Sequence, residues 1–187
     1  MRRPLLLLAG LALGSCATQL PEFWEEEEPL RAVGYVDLDR YMGRWYLLAN
    51  IPYFAEAGNL APYVEYTRRS EVLIDDKYTA WESFESPPFV KDGTIEITNP
   101  VTQSEGRITF LPPLWQDYAV LFVDDQYRYS IIGHPSRDYI WFFAREPRIS
   151  DEMYQAMLAV ARANDFDTTR ILRIPHRPDE LGKPGYQ

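Results

Sequence analysis

At 187 residues the chain is long enough for one domain of ordinary size with its own core, and 46% hydrophobic and 14% aromatic residues mark it as globular rather than disordered. A net charge of −9, more negative still without Arg2 and Arg3, excludes an electrostatic grip on nucleic acid or on anionic lipid surfaces. The single cysteine excludes an internal disulfide and a Cys-rich zinc site.

The chain starts with a basic pair, Arg2-Arg3, and an apolar run from Leu5 to Leu13. The run is too short to span a bilayer, which takes about 20 apolar residues, and has the form of a secretory signal. It ends in Leu13-Gly14-Ser15-Cys16, which resembles the lipobox of bacterial lipoproteins. That resemblance implies a signal peptide over 1–15, removed on export, and a diacylglyceryl cysteine with a further acyl group such as palmitate at Cys16. Two or three acyl chains hold firmly where one is marginal. Ala17, rather than Asp, follows the cysteine, which in such lipoproteins implies the periplasmic face of the outer membrane. An ordinary signal peptide with an incidental cysteine is the plainer alternative. Residues 16–34, with Pro21, Pro29 and the acidic run Glu25 to Glu28, read as a solvated lipidated tether.

From Tyr41 onward short alternating runs follow one another. Strands are expected over 45–52, 63–69, 77–85, 94–102, 107–111, 118–124, 127–133 and 139–145, with turn-rich stretches between them. Asp75-Asp76 and Asp124-Asp125 read as turn residues. Eight strands at such spacing suggest an antiparallel up-and-down meander closed into a barrel, wide enough for side chains or one small ligand. Ser150 can cap a helix whose first turn holds Asp151 and Glu152. Met153, Ala156, Met157, Val160 and Ala161 give it one narrow apolar stripe, suited to the outer wall of a sheet. Residues 170–174 read as a short last strand, and 177–187 as a polar tail.

Asp37-Leu38-Asp39-Arg40-Tyr41-Met42-Gly43-Arg44-Trp45-Tyr46 resembles the first lipocalin signature, and the segment from Tyr139 to Pro147, with Arg145 closing the eighth strand, resembles the third. The second signature, commonly Thr-Asp-Tyr, is not present. The stretch from Ile149 through Ala161 looks most like the bacterial, lipid-anchored branch. The resemblance covers about 35–176 and implies an all-β, eight-stranded barrel with one C-terminal α-helix packed outside and a short final strand. It also implies structural roles for Gly43, Trp45 and Arg145: a tight entry, a plug at the narrow end, and a guanidinium laid over the indole.

Strand alternation then assigns the lumen. With Trp45 inward, Leu47 and Ala49 follow; with Arg145 at the base, Phe143, Trp141 and Tyr139 face the cavity. Family analogy puts Ala119, Leu121 and Val123 inward. Tyr63, Glu65 and Thr67 are favoured on the second strand, and Trp81 is counted among the ligand-facing residues. Such a lumen suits a long apolar ligand, a fatty acid or lysophospholipid by family, although the same residues would fill a solid barrel. A lumenal Glu65 would sit poorly beside a fatty-acid carboxylate unless burial keeps it protonated; the alternatives are that it meets a cationic or hydroxyl head, or that it faces water.

Catalysis finds little support. His134 and His176 sit in Pro-flanked segments and read as surface residues, and no metal or cofactor is expected. The leading expectation is a membrane-anchored carrier of a hydrophobic molecule in the cell envelope. The alternatives are an envelope structural or interaction lipoprotein without ligand, and an enzyme acting on an apolar substrate in the barrel. The sequence carries no signal for oligomeric state.

Overall fold

The computed structural model describes residues 28–187. A short helix, α1 (Leu38–Tyr41), leads into β1 (Gly43–Asn50). Seven further strands follow: β2 (Leu60–Arg68), β3 (Leu73–Trp81), β4 (Phe89–Ile97), β5 (Glu105–Leu111), β6 (Leu114–Val123), β7 (Tyr129–Gly133) and β8 (Ile140–Ala144). Each pairs antiparallel with the next, β8 returns to β1, and β1 also pairs with β2, so the sheet closes on itself. Helix α2 (Asp151–Ala163) and a two-residue strand, β9 (Leu172–Arg173), complete the expected order.

Local chemistry explains the punctuation. Asp37 caps α1 by accepting bonds from the Asp39 and Arg40 amides, and Ser150 caps α2 by accepting from Met153 N. Gly43 sits at φ 89°, a left-handed conformation that favours glycine and lets the chain leave α1 and enter β1 at once.

Two cores result. Inside the barrel, Trp45, Leu47, Val64, Tyr66, Ile74, Tyr78, Ile95, Val120, Ile132 and Phe143 pack together. Outside it, the apolar stripe of α2 (Tyr154, Met157, Leu158 and Ala161) covers Ala49, Ala119, Leu121, Ile131, Ile140 and Phe142. Burying the wall beneath a helix accounts for strands that are apolar on both faces.

The narrow end is shut by Trp45, fully buried, whose indole N–H donates to Tyr41 O at 2.7 Å. The Arg145 guanidinium carbon lies 3.8 Å from the indole centroid. Its nitrogens donate to four backbone carbonyls: Arg44 O (2.7 Å), Arg40 O (2.8 Å), Tyr41 O (3.1 Å) and Tyr127 O (3.2 Å). One planar group therefore ties α1, β1 and the β6–β7 turn together.

Several expectations change. β3 begins earlier than expected, so Asp75 and Asp76 lie within a strand and not in a turn; the chain turns instead between Arg69 and Leu73. The end of the expected tether lies along the barrel wall: Val33 N donates to Val120 O, Arg31 N to Asn164 Oδ1, and Glu28 O accepts from Arg137. The expected polar tail folds back, with Gln187 Nε2 donating to Asn50 Oδ1 and Gly58 N donating to Gln187 Oε1. His176 is half-buried rather than exposed. Its Nε2–H donates to Leu47 O at 2.9 Å, and burial lowers its pKa.

Arg145→Lys is expected to cost about 2–3 kcal/mol in urea unfolding, because one ammonium cannot serve four carbonyls. Arg128→Lys, at a residue whose side chain pairs with Asp124 and lies over the Tyr129 ring but touches no carbonyl cluster, is expected to change stability by less than about 1 kcal/mol.

Candidate functional site

The end of the barrel away from Arg145 is open. A cavity of about 470 Å³ runs inward from it, within the range of small-molecule sites. Leu47, Val64, Ile95, Ile108, Ile132 and Phe143 form its apolar wall, while Phe54, Leu111 and Leu114 stand at the mouth, each largely exposed.

Of the residues expected to face the ligand, Leu47, Trp141 and Phe143 line this cavity. Val123 packs against the interior core nearer the base. Tyr139, half-buried, does not line the cavity itself; its ring stacks on that of the lining residue Trp141, centroids 6.3 Å apart. Others face elsewhere. A bulge in the β1–β8 pairing between Leu47 and Ala49 turns Ala49 onto α2. On β6, Ala119 and Leu121 also face α2 while Tyr118 and Val120 point inward; a bulge between Val120 and Phe122 then restores Val123 to the interior. On β2 the inward residues are Val64 and Tyr66. Tyr63 and Glu65 lie on the outer face, where Arg44 covers the Tyr63 ring and pairs with Glu65 at 3.0 Å, and Thr67 is exposed. Trp81 joins Tyr63 there, ring centroids 6.2 Å apart. A one-residue slip reverses a strand's faces, which is the correction these positions require.

The structure adds two polar residues to the lumen that the sequence reading placed elsewhere or passed over. Asp76 sits on the inward face of β3 between Ile74 and Tyr78, 3% exposed. Its Oδ1 has no hydrogen-bond partner among the described residues. Burial, reinforced by the nearby charge of Glu56, pushes its pKa up to about 8. Glu56, from the β1–β2 loop, tucks inward and accepts from Asn50 Nδ2 (3.0 Å) and Trp141 Nε1 (2.9 Å). Burial raises it to about 7 against the opposing effect of those bonds. The pairing of Val64 and Tyr66 with Tyr78 and Asp76 fixes Asp76 on the inner face; nothing periodic marks Glu56 in its loop.

A family model for the lipocalin-like domain matches residues 36–176. The chain belongs to the lipocalin family. It is 29% identical over 142 residues to the outer membrane lipoprotein Blc of Escherichia coli K12, covering 76% of this chain and 80% of that one. It is 25% identical over 158 residues to temperature-induced lipocalin-1 of Arabidopsis thaliana, covering 80% and 84%. The likeness to Blc agrees with the bacterial branch read from the sequence. Among solved structures, insecticyanin of the tobacco hornworm superposes with a TM-score of 0.64 at 15% identity, over 81% of this chain and 87% of that one. Lobster apocrustacyanin A1 gives 0.62 at 14%, over 81% and 92%. At such identities these two speak for the fold alone. The family and the apolar cavity together make this lipocalin a binder of hydrophobic small molecules.

The two buried carboxyls link stability to pH. Both have folded pKa values above their unfolded ones, so the folded lipocalin holds protons that the unfolded chain has lost. Their contribution is complete below about pH 4 and is lost as pH rises towards 8. His176 acts in the opposite sense, because its folded pKa is depressed. Asp76→Asn isolates one term: relative to the parent it is expected to gain on the order of a few kcal/mol at pH 8.5 and much less at pH 5, read from urea midpoints at the two pH values.

Proposed function

We propose that this lipocalin carries a single-chain lipid, a fatty acid or lysophospholipid, in the bacterial envelope, held at the periplasmic face of the outer membrane by an acylated Cys16. The apolar cavity opening at one end of the barrel is the observation that carries the reading. The Blc relatives are outer membrane lipoproteins by name, which supports the location. The signal segment 1–15 and Cys16 lie outside the described residues, and the sequence is their support.

The path of the N-terminal segment adds a geometric argument. From Val36 at the closed end it climbs the wall to Glu28, whose carbonyl meets Arg137 in the β7–β8 loop. That loop borders the mouth, where the Tyr139 and Tyr53 rings stand 6.0 Å apart. The described chain, from residue 28, therefore joins the barrel from the mouth side. Twelve residues from Cys16 to Glu28 reach at most about 40 Å when extended. An acylated Cys16 thus keeps the opening, with exposed Phe54, Leu111 and Leu114, within reach of the lipid surface, so that a lipid can pass between bilayer and barrel with little exposure of its chain.

The carboxyls of Glu56 and Asp76 are the one feature favouring a second reading, acid–base chemistry on an apolar substrate. Among the described residues Asp76 Oδ1 has no partner to orient it, and binding therefore stands first.

Titrating delipidated protein with fatty acids and lysophospholipids of several chain lengths is expected to shift Trp141 fluorescence at micromolar concentrations; no response to any of them contradicts the carrier role. Cys16→Ser is expected to abolish acyl labelling and release the protein from membranes, and continued retention of the variant contradicts the anchor.

A further inference from the structure

Asp76 is a poor residue for an apolar ligand's pocket. A buried polar atom without a partner costs about 1–3 kcal/mol, and an ionised carboxylate costs more. A second carboxyl, Glu56, lies close enough to raise it further. Around Asp76 stand Glu56 from the β1–β2 loop, whose charge acts on it, and Tyr53 from the same loop, Tyr66 from β2, Tyr78 from β3 and Tyr118 from β6, whose phenols its charge helps keep un-ionised. In β4, its ladder partner is Gly93, which brings no side chain. Lys91 and Asp117 also line the cavity. Lys91 is exposed, and its charge acts on Glu56. No cation is paired with Asp76 among the described residues. Two acids surrounded by aromatic rings thus occupy the interior of an otherwise oily cavity.

We propose that the cavity takes single-chain amphiphiles bearing a primary ammonium head, which enter head first and place that nitrogen between Asp76 and Glu56. The assignment builds on the carrier reading and names the head group it lacks. An ammonium has three donors and no acceptor, so it satisfies the orphaned Asp76 Oδ1 and the second carboxyl at once. The faces of the surrounding tyrosines add cation–π attraction in a desolvated setting. The alkyl chain then lies along Leu47, Ile95, Ile108 and Phe143 towards the mouth. A fatty-acid carboxylate entering the same way would add a third negative charge, and it binds there only with protons.

Opposite pH dependences follow. Burial holds Asp76 and Glu56 protonated to about pH 8 and 7, so an ammonium must displace protons and binds more tightly as pH rises. A carboxylate must bring a proton and binds more weakly.

The test titrates delipidated protein with dodecylamine, 1-dodecanol and dodecanoate at pH 6 and pH 8, by calorimetry and Trp141 fluorescence. The amine is expected to tighten about tenfold or more between the two pH values while dodecanoate weakens. At pH 8 the amine is expected to exceed dodecanoate by at least about tenfold, and Asp76→Asn is expected to remove most of that margin while dodecanol binding persists. The pH trends of the unaltered protein need no variant, so a misfolded Asp76→Asn does not rescue the assignment. Amine binding no tighter than dodecanol, or the same ranking in a folded Asp76→Asn, overturns it and leaves the carrier reading intact. Failure of all three chains to bind overturns both.

Discussion

A single guanidinium decides which end of this barrel is closed. Arg145 lies flat on the Trp45 indole and donates to carbonyls of residues 40, 41, 44 and 127. Those carbonyls belong to a helix, a strand end and a turn that share no sheet pairing of their own at that point. Planar stacking and a fixed fork of donors are what arginine supplies and lysine does not. With the base sealed, water and ligand have one way in, and the chemistry of the open end becomes the chemistry of the site.

The closed sheet then has an apolar inner face and, over β1 and β6–β8, an apolar outer one to satisfy. Helix α2 covers one, and β9 and the C-terminal residues extend that cover around β1. The inner face is only part-filled, and the unfilled part contains Asp76. Folding would be easier with a leucine there. The last residue also bears on the site: Gln187 donates to Asn50, which donates to Glu56, so the chain end helps hold the loop carboxyl in the lumen. Two buried acids beside an apolar cavity are thus held at a cost to stability.

Much of this was legible in the sequence, and the exceptions have physical causes. Gly43, Trp45 and Arg145 could be placed because their roles depend on residue type: a positive φ, a large plug and a forked donor. Leu47, Trp141 and Phe143 followed by alternation from Trp45 and Arg145. Ala49 and the Ala119–Leu121 stretch did not, because small residues are equally at home in a lumen or beneath a helix, and bulges in β1 and β6 break the alternation unannounced. Tyr63 and Glu65 alternate as well in one register as in the other, and the outer wall's own ion pair and stacked rings occupy them. Asp75-Asp76 has turn composition, and only the pairing of β3 with β2 and β4 puts it in a strand. Glu56 is visible only when a loop folds inward, which no local pattern encodes.

The central claim is that a lipid chain occupies the hollow above the Trp45–Arg145 base. A crystal of the delipidated domain grown with a terminally brominated dodecyl amphiphile tests it most directly. The account predicts one anomalous bromine peak in the upper barrel or at its mouth, with continuous chain density running down past Leu47 and Phe143. Bromine found only on the outer wall, or an interior closed by repacked side chains, contradicts it.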